Sequence, residues 1–370
     1  MPMIMSWERP GPWVYPDCFP PAGGDELLSE FSALARERGW RVGTFCNGTR
    51  WVTGHRWTGY QGDAYYEANR GPESVSIAAD QQPWKEGWDT SWRPSYACCS
   101  ASQVTSDAYG YAHEPGRWMT EAMGVLIKRL LDEGQRAQSK DSRRQVVLSV
   151  EAPCNEYNLQ DFVICDVRVV PEGHRHWPAS WIPLYHYLYH ECILIQGGFG
   201  MGPEPFHMPI RTAYNLVVGE IPGAVLTGDG RLLNYDTENW APWEPYIGSN
   251  DDALASLRSA TALRRGPARD WLVFGRMQRP LATEGIDLVI WEYNARVHRI
   301  PALYQRCWQA PDGRLGVVLA NWGTIEREVT LRDARLAGTW QLHTSGQTLE
   351  AREGALTATV PPLGAVLIHQ

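Results

Sequence analysis

Two carboxylates stand where apolar runs end. Glu151 directly follows Val146-Val147-Leu148-Ser149-Val150 and precedes Ala152-Pro153. A carboxyl there is partly desolvated, which raises its pKa and suits it to general-acid work. Asp166 lies inside a second apolar run, Phe162 to Val167, with Arg168 two residues on. The alternatives are a hydrogen-bonding Glu151 with no proton-transfer role and a salt-bridged, structural Asp166. His186 and His190 are four residues apart and Glu191 follows, but the order is neither His-Glu-x-x-His nor His-x-x-Glu-His. With Tyr185, Tyr187 and Tyr189 interleaved, ordinary buried or cleft-facing histidines are favoured over a metal site. The segment Gly202-Pro203-Glu204-Pro205-Phe206-His207 either offers Glu204 and His207 to a ligand or uses its prolines to shape a turn. Asn47-Gly48-Thr49 matches a glycosylation sequon, but Asn47 at a strand end reads better as a cleft residue.

The aromatic residues narrow the class of ligand. Trp is 18 and Tyr 16, while Phe is only 7. Cores favour Phe; Trp and Tyr suit half-wet surfaces, with an apolar face and a polar tip. A cleft that stacks rings on sugar C–H faces needs that mixture, and a Trp-rich core is the plainer alternative. The charge balance, 34 Lys+Arg against 42 Asp+Glu, leaves a formal −8. That argues against nucleic acid or an anionic membrane as partner, since both require a basic face. No apolar run approaches the ~18 residues of a membrane span. Met1 to Trp13 lacks the basic and apolar regions of a signal peptide, so a cytoplasmic location is expected. The eight cysteines include no Cys-x-x-Cys pair and read as buried thiols rather than disulfides or metal ligands.

These residues need a scaffold. The periodicity predicts helices over 25–38, with Asp25 as cap and Gly39 as stop, and over 115–133, ended by Gly134. Further helices are expected over 209–220 and 251–264, the last capped by Ser249 or Asn250. Strands are expected at 40–46, 145–150, 162–167, 192–196 and 224–227. Residues 50–112 show no sustained period and hold Trp51, Trp57, Trp84, Trp88 and Trp92, so they read as a long functional loop. The strands are short and continuously apolar, as in a parallel sheet covered on both faces. Their alternation with helices points to an α/β fold, a (β/α) TIM-type barrel rather than a doubly wound sheet. No phosphate-binding glycine loop follows the first strand. Only five strands are convincing where a full barrel has eight, so the barrel is expected to be incomplete or distorted. In such a barrel the working residues sit at the C-terminal strand ends, which selects Asn47, Glu151, Asp166, the loop from Gln196 to Glu204, and Asp229.

Near residue 270 the texture changes to short strands separated by turn signals such as Pro311-Asp312-Gly313. Strands are expected at 271–277, 288–293, 304–309, 315–321, 327–331, 340–343, 355–360 and 365–368. The expected division is therefore a barrel-like domain over 1–266, with its aromatic loop at 50–112, and an antiparallel β-sandwich over 267–370.

Several local motifs resemble one family. They are Ser6-Trp7-Glu8 with Tyr15-Pro16, Arg41-Val42-Gly43-Thr44-Phe45-Cys46-Asn47-Gly48, Ser149-Val150-Glu151, and Trp240-Ala241-Pro242-Trp243-Glu244. Together they resemble the glycosidase-related barrel proteins classed as a domain of unknown function, and the terminal sandwich resembles the small β-domain appended to many glycoside hydrolase barrels. The chain departs from that pattern between the aromatic loop and the helix at 115. There the family has a further strand ending in an aromatic-Asp-Gln signature, and here only Asp107 provides a carboxylate.

The resulting expectation is a glycoside hydrolase-like enzyme acting on an oligo- or polysaccharide without a cofactor. Glu151 is its general acid and Asp166 the partner carboxylate. Asn47, Arg50, Trp51 and Trp57 line the sugar subsites, with Glu204 and His207 as further contacts. The alternative is a carbohydrate-binding protein that has lost one catalytic carboxylate. A metal-dependent hydrolase built on His186, His190 and Glu191 is the third.

Overall fold

A computed structural model of the chain describes residues 3–4, 20–44, 50–53, 75–77, 95–98, 115–142, 147–151, 162–167, 183–197, 208–234, 244–246, 248–293 and 296–370. It divides into two compact units, Met1–Arg129 and Leu130–Gln370.

In the first unit, strand β1 (Met3–Ile4) pairs in parallel with β2 (Gly43–Thr44), and helix α1 (Gly24–Glu37) lies between them in sequence. Asp25 does not cap α1. Gly23 holds the cap position at φ 80 without a side-chain hydrogen bond, and Asp25 and Glu26 fall in the first turn, where the helix dipole favours acids. Gly39 ends the helix as expected. At φ +69 it lets its own N–H reach Arg36 O at 2.9 Å and that of Trp40 reach Ala35 O at 2.8 Å, a Schellman closure. The segment read as an unstructured aromatic loop contains β3 (Arg50–Thr53), β4 (Val75–Ile77) and β5 (Ser95–Cys98), an antiparallel sheet in the order β3–β5–β4. Helix α2 (Pro115–Lys140) runs well past Gly134, because the flanking Glu133, Gln135, Arg136 and Ala137 are good helix formers that offset the ~1 kcal/mol cost of one glycine.

The second unit opens with three parallel strands, β6 (Ser149–Glu151), β7 (Ile164–Val167) and β8 (Leu194–Gly197), in the order β6–β7–β8. Helix α3 (Leu184–Tyr189) falls between β7 and β8, and α4 (Met208–Val217) follows β8. Ile221 then continues the sheet by a parallel bridge to Gln196. This is a strand–helix–strand alternation of the α/β kind. Downstream, β9 (Val225–Leu226), β10 (Leu232–Asn234) and β11 (Glu244–Pro245) form an antiparallel sheet instead of extending the parallel one. Helix α5 (Asn250–Arg265) is capped by Ser249, whose hydroxyl accepts from Asp252 N at 3.2 Å. Residues 271–277, expected as one strand, split into the end of a short helix, α6 (Arg269–Leu272), and the strand β12 (Arg276–Gln278).

The remaining strands are β13 (Ala282–Glu284), β14 (Leu288–Tyr293), β15 (Arg296–Pro301), β16 (Leu303–Gln309), β17 (Leu315–Asn321), β18 (Arg327–Arg332), β19 (Thr339–Leu342), β20 (Gln347–Glu350), β21 (Ala355–Val360) and β22 (Ala365–His369). They build an antiparallel sheet β12–β16–β17–β22–β19–β20, a second sheet β13–β18–β21, and the separate hairpin β14–β15. One core, with Leu319, Val329, Leu331, Trp340, Leu356 and Val366, lies between the two sheets as in a sandwich. A second core lies on the outer face of the larger sheet, where Trp308, Val318 and Leu367 meet Leu216 and Val217 of α4 and Ala260 of α5. Cys165 and Cys307 are buried and Cys192 is exposed. Among the described residues no helix is long and apolar enough to cross a membrane.

Candidate active site

The parallel register brings the two candidate carboxylate positions together. Ser149 pairs with Ile164 and Ile164 with Leu194; one pleat further on, Glu151 pairs with Asp166 and Asp166 with Gln196. The row ends at Ile221, bridged to Gln196 and donating its N–H to Ile195 O at 2.7 Å. Positions 151, 166 and 196 are thus level at the C-terminal ends of adjacent strands. The alternate face is closed: Cys165 and Ile195 are fully buried, and the Tyr185 hydroxyl of α3 donates to Cys165 Sγ at 3.7 Å. Gln196, next after Ile195 in β8, takes the opposite face. Gln196 had been noticed only as the start of a loop. Its signal was available, as a polar residue at the end of an apolar strand of the same kind as Glu151.

Beside this row is a buried polar pair that the sequence reading missed. His186 Nε2 of α3 lies 2.6 Å from Glu220 Oε1, and the two side chains are 4% and 0% exposed. Glu220 immediately precedes Ile221, so the pair ties α3 to the entry of the fourth parallel position. The reading ended a helix at Glu220, whereas α4 stops at Val217 and residues 218–220 form a turn. Gly219 holds that turn at φ +85, and a Cβ there would come within 2.5 Å of the His190 ring.

The other two members of the supposed triad point elsewhere. His190 is buried against Trp308, with ring centroids 4.6 Å apart, and its Nδ1 and Nε2 each lie 3.1 Å from a carbonyl oxygen, of Gly275 and Leu272. Two acceptors would suit an imidazolium, but desolvation outweighs them and, with the Arg264 guanidinium nearby, holds the pKa down at about 4. Glu191 is exposed and forms a forked ion pair with Arg276, at 2.8 and 3.0 Å. Among the described residues no three His, Cys, Asp or Glu side chains converge as a metal site would require.

The remaining candidates divide. Arg50 and Trp51 belong to β3, where they pair with Cys98 and Ala97 of β5. Asn47, Trp57, Glu204 and His207, together with Asp107, fall outside the described residues. Asp229 is corrected: it sits in an exposed turn between β9 and β10, bonded to the Thr227 hydroxyl and ion-paired with Arg231 at 2.9 Å. Those contacts, the Thr227 hydroxyl foremost, lower its pKa and identify it as a turn residue.

No family model matches the sequence, and no curated protein sequence matches it. Among solved structures, an alpha-amylase from H. orenii is similar at a TM-score of 0.50 and 12% identity, over 100% of this chain and 89% of that one. A noncanonic maltogenic alpha-amylase from Thermotoga neapolitana aligns at 0.48 and 12% identity, over 94% and 81%. At such identity the first likeness is one of fold alone.

Proposed function

We propose that the protein is a glycoside hydrolase-like enzyme in which Glu151 protonates the leaving glycosidic oxygen and Asp166 is the second carboxylate. The observation that carries this reading is the lateral pairing of the two positions on adjacent parallel strands, at their C-terminal ends. Neighbouring strands are ~4.8 Å apart. If the two carboxyls keep that spacing, they suit the ~5–5.5 Å of a retaining enzyme rather than the ~6.5–9.5 Å that leaves room for a water in an inverting one. Asp166 is then the nucleophile, forming a glycosyl ester as Glu151 gives its proton to the departing alcohol. Glu151 next takes a proton from the water that cleaves the ester. A (β/α) barrel over 1–266 with the sandwich over 267–370 is the architecture that best accommodates this site. Asn47, Arg50, Trp51, Trp57, Glu204 and His207 are the candidate sugar contacts. The glycosidase-like fold supports the reading at the level of class, and the α-amylases above direct the first substrates to test toward α-glucans.

The test is a panel of oligosaccharides offered to the wild type and to Glu151→Gln and Asp166→Asn. Hydrolysis of one member is expected, with each substitution lowering kcat by about 10²–10⁴-fold while binding persists. Wild-type binding without any turnover would instead identify a carbohydrate-binding protein. Full turnover by Glu151→Gln would remove the general acid from the scheme.

A further inference from the structure

A further cavity lies beside β16, at the edge of the larger sheet. Strand β12 pairs with β16 only from Cys307 to Gln309, short of Leu303 to Arg306. The cavity, of about 290 Å³, is lined by Tyr214 of α4, Thr283, Leu288, and Tyr304, Gln305 and Arg306 of β16.

The polar groups of this cavity are unbalanced. Arg306 is half-buried, and its Nη1 donates to Gln305 O at 2.8 Å. The charged or ionisable groups acting on it are Tyr214 and Tyr304, two phenols, and no carboxylate among the described residues forms an ion pair with it. Tyr214 meets Tyr304 edge-on, with centroids 5.7 Å apart, and its pKa is pushed up to about 12, chiefly by burial, so its hydroxyl remains a donor at neutral pH. Glu220, whose charge reaches Tyr214, is already engaged by His186 at 2.6 Å. A partly desolvated guanidinium without a counter-charge is costly, and an incoming oxyanion offsets that cost. An oxyanion that accepts from the Arg306 guanidinium and from the Tyr214 hydroxyl meets both groups.

We infer that the cavity at Tyr214 and Arg306 binds a small oxyanion, a carboxylate or a phosphate ester, at a place distinct from the row 151–166–196. This inference does not depend on the hydrolase reading. It is tested by calorimetric titration of the full chain with glucuronate, glucose 6-phosphate and glucose. One or both anions are expected to bind and glucose not to bind. Glucuronate alone would identify a carboxylate, and glucose 6-phosphate alone a phosphoryl group. Arg306→Met, which keeps the aliphatic stem without the charge, is expected to weaken anion binding at least tenfold, and Glu151→Gln to leave it unchanged. If Arg306→Met does not fold, Tyr214→Phe takes its place, with a several-fold loss expected. Binding of neither anion to the wild type, equal binding of glucose, undiminished binding by a folded Arg306 or Tyr214 variant, or loss of binding in Glu151→Gln would each overturn it.

Discussion

At the residue scale, the proposed chemistry depends on two positions whose meaning differs between sequence and structure. Glu151 stood out because a carboxylate ends an apolar run; Asp166 did not, because a strand interior and a nearby arginine read equally well as a structural pair. Their partnership is a matter of register, and register arises from pairing between segments that are not adjacent in sequence, so no local pattern reports it. The register has a stereochemical consequence. If the two carboxyls work at the spacing of neighbouring strands, NMR of the first-formed product from an active substrate should show the anomer of the starting glycoside. Initial release of the opposite anomer would mean that Asp166 is not the nucleophile. His190 supplies a second residue-level prediction. Its pKa is held at about 4 in the fold against 6.5 for an unperturbed imidazole, so the unfolded chain takes up its proton first as the pH falls. Its contribution is complete above about pH 6.5 and is lost between there and about pH 4, to the extent of roughly 3 kcal/mol. Urea unfolding at pH 7.5 and pH 5 should therefore show a larger acid loss for the wild type than for His190→Gln. Equal losses would mean that His190 is charged in the folded protein.

At the element scale, the helices were more legible than the strands, for a physical reason. A helix carries its own signals: Ser249 caps α5 and Gly39 closes α1 by local hydrogen bonds alone. The misreadings came where local signals were weak. Gly134 reads as a stop but costs only about 1 kcal/mol inside a run of strong helix formers, so α2 passes through it. The strands of 50–98 show no alternation because each is three or four residues long, too short for a period to emerge. The pair His186–Glu220 was equally hidden, since it joins a helix to a turn 34 residues later. Removing one member leaves the other buried without its partner. Glu220→Ala should therefore cost about 3 kcal/mol, and Glu220→Gln, which keeps an acceptor, clearly less. Denaturant midpoints of the two variants decide this, and a Glu220→Ala protein as stable as the wild type would make the contact dispensable.

At the scale of the whole molecule, the larger antiparallel sheet links most of the C-terminal unit. Along β17, Val317 and Leu319 face the core between the two sheets, while Val318 and Ala320 face the core shared with α4 and α5. Strands β16 and β22 alternate in the same way, with Cys307 against Trp308 and Val366 against Leu367. This explains why continuous apolar runs are a poor guide to parallel sheets in this chain. An antiparallel sheet covered on both faces has the same composition, and only the turn signals between its strands betrayed it. It also means that a division at 266/267 separates α4 and α5 from the sandwich in sequence but not in packing. The two cores share their strands, so neither should open without the other. Leu319→Ala places a cavity in the core between the sheets, remote from the helices, and should cost about 2–5 kcal/mol. Native-state hydrogen exchange should then report the same loss of protection for the amides of α4 and α5 as for those of β16 and β17. Helices that kept their full protection while the sheet lost its own would show two independent folding units, and the division in sequence would then be a division in energy as well.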